Sequence, residues 1–189
     1  MIDILPFMFL FSFIVLQRIL ELLVAKSNEK WLKQQGAVEF GKGHYYFMVL
    51  MHTMFFVSLL VEKVFLNRGL SPVWPLFLFG FVLVQFLRIW VITSLGRYWN
   101  TKIIVLPGAK AVKKGPYRFI RHPNYFVVSI ELLVIPCMFS AYYTACLFTL
   151  LNGIILTIRI QEEEKVLKSL TEYEGDFQDC NRFIPKFVK

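Results

Sequence analysis

The chain has 189 residues, of which 57% are hydrophobic and 18% charged, and its mean hydropathy is +0.56. Soluble domains contain about 45–50% apolar and about 25% charged residues. Twenty phenylalanines are also more apolar surface than a single domain of this length can hide from water. The composition therefore excludes a disordered chain, a disulfide scaffold and an ordinary soluble enzyme, and it predicts one domain that is partly solvated by lipid.

Four apolar regions cover about residues 4–24, 45–66, 73–95 and 125–158. The first lacks the basic start and the small-residue cleavage site of a signal peptide, so we expect it to be retained. The fourth is too long for a single span of about 20 residues, and Pro136 and residues 140–143 interrupt its middle. We expect a helical hairpin there. The sequence thus predicts an all-α polytopic membrane helix bundle of about five transmembrane helices, with a C-terminal helical hairpin and a cytoplasmic cap.

Positive charge is distributed unevenly between the two sides of this bundle. Seventeen of the 21 Lys and Arg residues lie in the segment after the first span, the loop after the third span and the tail. Only Lys63 and Arg68 lie on the other side. The positive-inside rule then places the amino terminus outside and the carboxyl terminus in the cytoplasm. This rule accounts for the net charge of +8 without nucleic acid, for which no recognition motif is present.

We expect one domain over residues 1–189, with three spans in 1–95 and the loop, hairpin and tail in 96–189. In the loop, residues 115–125 read GPYRFIRHPNY. Pro123 suits the first position of a helix, which places His122 at its mouth. The free amides of a helix start attract anions, and Arg118 and Arg121 flank this point. The segment predicts an anion site, although interface anchoring by the two arginines and simple capping by His122 are the alternative.

The tail begins with residues 159–168 (RIQEEEKVLK), which predict a helix that leaves the membrane. Arg159 and Glu163 are four residues apart and share a face, so the pair could hold an anion and a cation together. Glu164 and Lys168 have the same spacing, and for Glu162 and Glu164 we expect a solvated helix surface.

Charged groups inside the spans are costly and usually face protein or a water-filled cavity. Arg18 and Glu21 can neutralise each other at helical spacing. Glu131 has no basic neighbour in sequence, so it is either a protonated carboxyl bonded to another helix or a pocket group that orients a substrate.

Several other chemistries find no support in the sequence. It contains no phosphate-binding loop, dinucleotide fingerprint or serine-hydrolase motif. The three histidines lack metal-ligand spacing, so we expect no metal site. Cys137, Cys146 and Cys180 are expected to be free thiols packed in the membrane protein.

Taken in order, four motifs resemble the isoprenylcysteine carboxyl methyltransferase family. They are Gly96-Arg97, the segment 115–125, residues 159–167 in the pattern Arg-Ile-x-x-Glu-Glu-x-x-Leu, and residues 182–185 (RFIP). The resemblance covers about residues 80–189. It implies an integral membrane methyltransferase that uses S-adenosylmethionine, held by the cytoplasmic half of the chain that carries these motifs.

The resemblance also assigns roles to particular residues. It implies catalytic roles for Arg159 and Glu163, with Arg159 near the methyl acceptor and Glu163 against the cofactor. By the resemblance, Tyr117, His122, Tyr125 and Glu163 are expected to border the cofactor, and Arg159 is expected in the substrate pocket. The helix-start argument adds Arg121 to the cofactor site, and the isolated charge within the fourth region adds Glu131 to the substrate pocket.

The sequence departs from the family pattern in two places. Phe177 stands where a tyrosine is common, and the Ser129–Glu131 stretch stands where small residues are common. The second departure changes the pocket lining and favours another acceptor, such as the long-chain alkylpyrones of bacterial relatives. We therefore expect O-methylation of a lipophilic anion, either a prenylcysteine or an alkylpyrone, in a bacterial plasma membrane. A phospholipid N-methyltransferase and a non-catalytic lipid-binding or transport protein are the alternatives.

Overall fold

The computed structural model describes residues 4–171, 173 and 180–183. Its main elements are five helices: α1 (Ile4–Gln34), α2 (Lys42–Phe65), α3 (Trp74–Leu95), α4 (Pro123–Met138) and α5 (Tyr142–Leu170). Four of them, α1, α2, α3 and α5, are long and apolar enough to cross a membrane. The prediction of an all-α membrane bundle is confirmed, and the chain is an integral membrane protein.

The fourth apolar region forms the predicted hairpin, with unequal arms. Helix α4 has 16 residues, about 24 Å of helix, which is shorter than the hydrocarbon core of about 30 Å. Pro136 lies in its last turn, and the backbone amide of Ala141 closes the reversal by donating to the Pro136 carbonyl at 2.9 Å. The carboxylate of Glu62 on α2 then accepts the amide of Thr144 at 2.7 Å. This charge at the start of α5 satisfies amides that have no partner within the helix.

Helix α1 is longer than its apolar segment predicts. It continues to Gln34, because residues 25–34 (AKSNEKWLKQ) include many good helix formers and bury one face, including Ala25, Asn28 and Leu32. Gly36 ends the helix at a φ of 90°, and the amide of Ala37 donates to the Leu32 carbonyl at 3.0 Å. A glycine suits this left-handed position because it has no Cβ to clash.

A small antiparallel ribbon that the sequence did not predict follows α1. Strand β1 (Val38–Phe40) pairs with β2 (Ile103–Val105) in the loop after α3. The ribbon packs on α5 through Ile103, Val105 and Val166. We call residues 25–41, 96–122 and 159–171 the cap, since they meet at one end of the bundle.

The main apolar core lies away from the cap and joins all five helices. Its buried side chains include Phe7, Ile14, Phe55, Leu59, Leu132 and Phe148. Other large apolar side chains face outward, such as Phe79 and Phe86 on α3, which are 62% and 66% exposed. Outward-facing phenylalanine in these helices is explained by contact with lipid.

Candidate functional site

A cavity of about 770 Å³ extends from the cap into the bundle. Its cap end is lined by polar and aromatic side chains, including Tyr117, His122, Tyr125, Arg159 and Glu163. Its deeper walls come from α1, α2, α4 and α5 and include Val15, Ile19, Val49, Phe56, Val128 and Ile155. The cavity therefore joins an ionic end to an apolar end, and its volume lies within the usual range for small-molecule sites.

Arg159 and Glu163 lie on one face of α5, and Tyr125 of α4 joins them. The Nε of Arg159 donates to the Tyr125 hydroxyl at 2.8 Å, and that hydroxyl donates to the Glu163 carboxylate. Nη2 of Arg159 donates to the Thr101 carbonyl at 2.5 Å. Its Nη1 is buried and has no hydrogen-bond partner among the residues that the structure describes. A buried guanidinium donor without a partner is costly, so this atom marks where an anionic ligand would bind.

His122 and Glu164 form a second contact between α4 and α5. His122 Nε2 lies 3.0 Å from a Glu164 oxygen, and Arg182 contacts the same carboxylate with Nε at 2.9 Å and Nη2 at 2.6 Å. Glu164 is only 6% exposed, so its predicted place on a solvated helix surface is wrong. The physical reason is that His122 and Arg182, both distant in sequence, contact the carboxylate and compensate for its burial.

The end of the described chain docks on the loop before α4. The amide of His122 donates to the Arg182 carbonyl at 3.2 Å, and the amide of Arg121 donates to the Asn181 carbonyl at 3.0 Å. The Arg121 side chain donates from Nε to the Cys180 carbonyl at 2.6 Å. Arg121 thus lines the cavity while it fastens the tail.

The start of α4 has the predicted geometry. His122 is the residue before the first turn, Pro123 occupies that turn, and no side chain among the described residues caps the helix. The ring of His122 instead stacks on Tyr125, with centroids 5.4 Å apart. The amides of the first turn, including that of cavity-lining Asn124, have no carbonyl four residues back within the helix. They can therefore meet an anion at the cavity.

Tyr117 is held by a short turn of 3₁₀ helix, Gly115–Arg118, that packs against α3. Gly115 has a φ of 56°, and a Cβ there would lie 2.0 Å from Ser94 Oγ, so only glycine fits. Burial, and next the negative charge of Glu163, raise the pKa of the Tyr117 phenol. Tyr117 therefore stays a neutral hydroxyl at the cap end of the cavity.

The cap extension of α1 holds the loop that contacts Arg159. Asn28 is 9% exposed and donates through Nδ2 to the Trp99 carbonyl at 2.8 Å. Asn100 returns a hydrogen bond to the Ala25 carbonyl at 2.9 Å. Thr101, whose carbonyl accepts from Arg159, follows directly. We call this connection the α1 clamp.

An ion cluster surrounds the clamp. Lys102 lies 2.9 Å from Glu29 on α1 and 3.2 Å from Glu39 on β1. Hydrogen bonding to Glu29 is the main cause that raises the pKa of Lys102, while hydrogen bonding from Lys33 lowers that of Glu39. The cluster therefore ties α1, the ribbon and the loop together by charge.

Glu131 lies in a buried ion network rather than in the cavity wall. Arg18 donates to its carboxylate at 2.6 Å and Arg88 at 2.5 and 2.9 Å, while Gln85 donates at 2.8 Å. Glu21 accepts from both arginines, at 2.7 and 2.6 Å, as the Arg18–Glu21 spacing predicts. The role of Glu131 in the substrate pocket stays a prediction. Glu131 would act on a substrate through Arg18, which lines the cavity.

Most of the predicted site residues are thus brought to one place. Around the cap end of the cavity, the structure collects Tyr117, Arg121, His122, Tyr125, Arg159 and Glu163. Glu131 belongs to the network described above, and Phe177 lies outside the described residues. Sequence reasoning missed Asn28, Thr101 and the true partners of Glu164. Of these residues, only Glu164 could have been singled out from the sequence, because it is part of the family pattern at residues 159–167.

Residues 75–169 match the model of the Isoprenylcysteine carboxyl methyltransferase (ICMT) family. The protein belongs to this family. The match spans α3, the loop, α4 and nearly all of α5, and so includes Arg159, Glu163 and His122. Family membership implies a membrane methyltransferase, and enzymes of this family generally use S-adenosylmethionine.

Two bacterial relatives resemble the chain over most of its length. The uncharacterized protein YpbQ of Bacillus subtilis (strain 168) is 45% identical over 162 residues, which cover 86% of this chain and 96% of that protein. An uncharacterized protein of Haemophilus influenzae (strain ATCC 51907 / DSM 11121 / KW20 / Rd) is 27% identical over 161 residues, 85% of this chain and 94% of that protein. The likeness therefore extends into α1 and α2, which the family model does not cover.

Proposed function

We propose that the protein is an S-adenosylmethionine-dependent O-methyltransferase whose acceptor is an ionised oxygen on a lipophilic molecule. A long-chain hydroxypyrone and a prenylcysteine carboxylate are the two acceptors of this class that we favour. The single observation that carries the proposal is Arg159 Nη1, a buried donor with no partner in the described part of the chain, at the junction of the ionic and apolar ends of one cavity.

The residues at the cap end fit S-adenosylmethionine. That molecule carries a carboxylate, an ammonium, a sulfonium and an adenine ring. The first turn of α4, beside Arg121 and His122, offers amides for the carboxylate. Glu163 offers negative charge for a cationic group, and Tyr117 and Tyr125 offer aromatic surface. When bound, the cofactor would supply its sulfonium methyl group, whose carbon–sulfur bond breaks as the acceptor oxygen bonds to the methyl carbon, so that a neutral thioether leaves.

The acceptor needs orientation more than activation. A carboxylate or an acidic enol is already ionised near neutral pH, so no general base is required. Arg159 holds that oxygen through Nη1, while the Thr101 carbonyl and the Tyr125 hydroxyl fix its guanidinium. Holding the nucleophile in a near-attack position lowers the entropic part of the barrier. The aromatic and apolar walls keep water from the reacting atoms.

We also propose the orientation that the charges predict. The cap collects the Lys- and Arg-rich segments at one end of the bundle, so it lies in the cytoplasm and the amino terminus lies outside. The cofactor then enters from the aqueous side, and the acceptor's tail enters from the lipid. The bacterial relatives support a bacterial plasma membrane as the location.

The test is a labelled-methyl assay with purified protein in lipid nanodiscs. Long-chain hydroxypyrones, prenylcysteine analogues and phosphatidylethanolamine are offered in parallel with S-adenosylmethionine. We expect label in a methyl ether or methyl ester. Label in a methylamine would replace the proposal with phospholipid N-methylation. No product from any acceptor, combined with no cofactor binding, would favour the non-catalytic lipid-binding reading.

A further inference from the structure

The cavity has a second polar level, deeper in the bundle than Arg159. Tyr45 of α2 lies at the level of Arg159, because its hydroxyl is 3.3 Å from Thr101, whose carbonyl accepts from Arg159. Seven residues from these two positions, away from the cap, α2 carries His52 and α5 carries Asn152. Both line the cavity. We call the part of the cavity around Arg159 and Glu163, where the proposed methyl transfer takes place, the reacting end. Seven residues of α-helix rise about 10 Å, so both side chains lie two turns below it.

Helix α1 reaches the same depth independently. Ala25 is at the level of the cap loop, since its carbonyl accepts from Asn100. Arg18 stands seven residues before Ala25 and also lines the cavity. Three helices therefore place polar side chains at one level of the deeper part of the cavity, whose other walls are largely apolar. Ionisable groups at such a depth are costly to bury, and their presence at a cavity wall suggests a ligand-binding role.

The charges at this deep level balance one another. Arg18 and Arg88 face the carboxylates of Glu21 and Glu131, and Arg18 donates to one carboxylate from each terminal nitrogen. Two cations and two anions leave no net charge for an ionic ligand to neutralise. The deep level thus differs from the reacting end, where Nη1 of Arg159 has no hydrogen-bond partner in the described part of the chain.

The neutral side chains at this level can bind a ligand. The Nδ1 of His52 is 2.8 Å from the Met48 carbonyl and must donate to it, because a carbonyl only accepts. Nε2 is then the ring nitrogen left for the cavity. Asn152 is 3% exposed and donates through Nδ2 to Ser129 Oγ at 3.0 Å. Its amide is therefore held in place as a second hydrogen-bonding group.

We propose that the deep level, centred on His52 and Asn152, binds an uncharged hydrogen-bonding group on the tail of the acceptor, about 10 Å from the oxygen that receives the methyl group. The acceptor is then a lipophile with two polar positions: an ionised oxygen at Arg159 and a ketone or hydroxyl group further along. His52 is a specificity-determining residue in this arrangement. The inference rests on the proposed function for the identity of the first position.

The test compares hydroxypyrones of equal chain length. One has a plain tail, one has a hydroxyl about 10 Å from the ring oxygen, one has the hydroxyl at the chain end, and one has a carboxylate at the internal position. Dissociation constants are measured calorimetrically in nanodiscs, and methyl transfer is measured separately. We expect the internal hydroxyl to improve binding about 5- to 10-fold over the plain tail, the usual size for one neutral hydrogen bond.

Variants of α2 identify the residue responsible. His52→Phe should remove the preference for the internal hydroxyl and leave binding of the plain tail within about twofold, because the lost interaction is confined to one polar contact. His52→Gln retains a neutral polar group and should keep most of the preference. Thr53→Val is the matched control, since Thr53 also lines the cavity but its hydroxyl donates to the Val49 carbonyl. It should keep the preference.

Each outcome bears on one proposal or the other. The proposal that the deep level binds a polar group of the tail would be overturned by either of two results. One is equal binding of the plain and internal-hydroxyl tails, and the other is a preference that survives in His52→Phe. Tightest binding of the internal carboxylate would overturn the neutrality of the deep level. Absence of methyl transfer with the binding preference intact would overturn the proposed reaction and leave the deep level standing.

Discussion

The two halves of the chain contribute different kinds of side chain to the same cavity. The carboxyl-terminal half, from α3 to α5, supplies Arg159, Glu163 and Tyr125, which meet at the reacting end. The amino-terminal half supplies Asn28, which fixes the loop beside Arg159, and His52, which lies deeper. Only the first group falls within residues 75–169, the part that matches the family model. Helices α1 and α2 therefore contribute side chains to the candidate site as well as to the membrane bundle.

The largest expected effect is at the reacting end. Arg159→Ala should lower kcat/KM by about 100-fold or more, because it removes the donor that orients the acceptor oxygen. Cofactor binding should change little. Arg159→Lys is the control that keeps the charge but loses the planar fork, and it should recover only part of the activity. Wild-type turnover in Arg159→Ala would end the assignment of the reacting end to the carboxyl-terminal half.

Glu131→Gln tests the network that joins the two halves. Removing one carboxylate charge leaves Arg18 and Arg88 with a single full counter-charge, so Arg18 should reorient toward the cavity. We expect the acceptor profile to shift toward anionic tails and the thermal inactivation temperature in nanodiscs to fall. Cofactor affinity is measured in parallel and should be unaffected. An unchanged acceptor profile would confine Glu131 to a structural role.

Asn28→Ala tests whether the amino-terminal half positions Arg159. The substitution leaves the Trp99 carbonyl without the donor that Asn28 supplies, a cost of about 1–3 kcal/mol. We expect kcat to fall about 10-fold through misplacement of Thr101, with little change in KM for the cofactor. Asn28→Asp retains the shape without the amide donor and should behave like Asn28→Ala. Equal kinetics in wild type and Asn28→Ala would show that the loop is positioned without the α1 clamp.

The smallest effect is expected at the ion cluster around the clamp. Lys102→Met should reduce activity about twofold at low salt, because partly exposed pairs of this kind contribute about 0.2–1 kcal/mol. Since salt screens such pairs, the difference from wild type should vanish near 1 M NaCl. Lys110→Met, in the same loop, is the matched control. A large loss at every salt concentration would mean that Lys102 contacts the ligand directly.

The membrane helices and the site motifs are predictable from sequence for local reasons. An apolar run of sufficient length predicts a span, and Pro136 predicts where the last region turns. The spacing of Arg159 and Glu163 predicts their shared face, because four residues make about one helical turn. Pro123 predicts the start of α4. Each of these inferences needs only neighbours in sequence.

Other features of the structure could not be predicted from neighbours in sequence. The hydropathy of the sequence predicts that the first span ends near residue 24. The helix continues to Gln34 because the following residues favour a helix and bury one face. The three-residue strands β1 and β2 are too short for a periodic signal and pair across 65 residues. The sequence predicts that Glu164 lies on the surface, because its partners His122 and Arg182 are not its neighbours in sequence.

The sequence by itself determined that the chain lies in lipid and where its membrane helices run, and it predicted the candidate site residues. These depend on composition, on local periodicity and on short motifs. The tertiary structure alone decided that Tyr125 joins Arg159 to Glu163, that Asn28 holds the loop, and that Glu131 faces Arg18 and Arg88. Those contacts join residues from separate helices and loops, and a buried charge finds its partner through packing rather than through spacing along the chain.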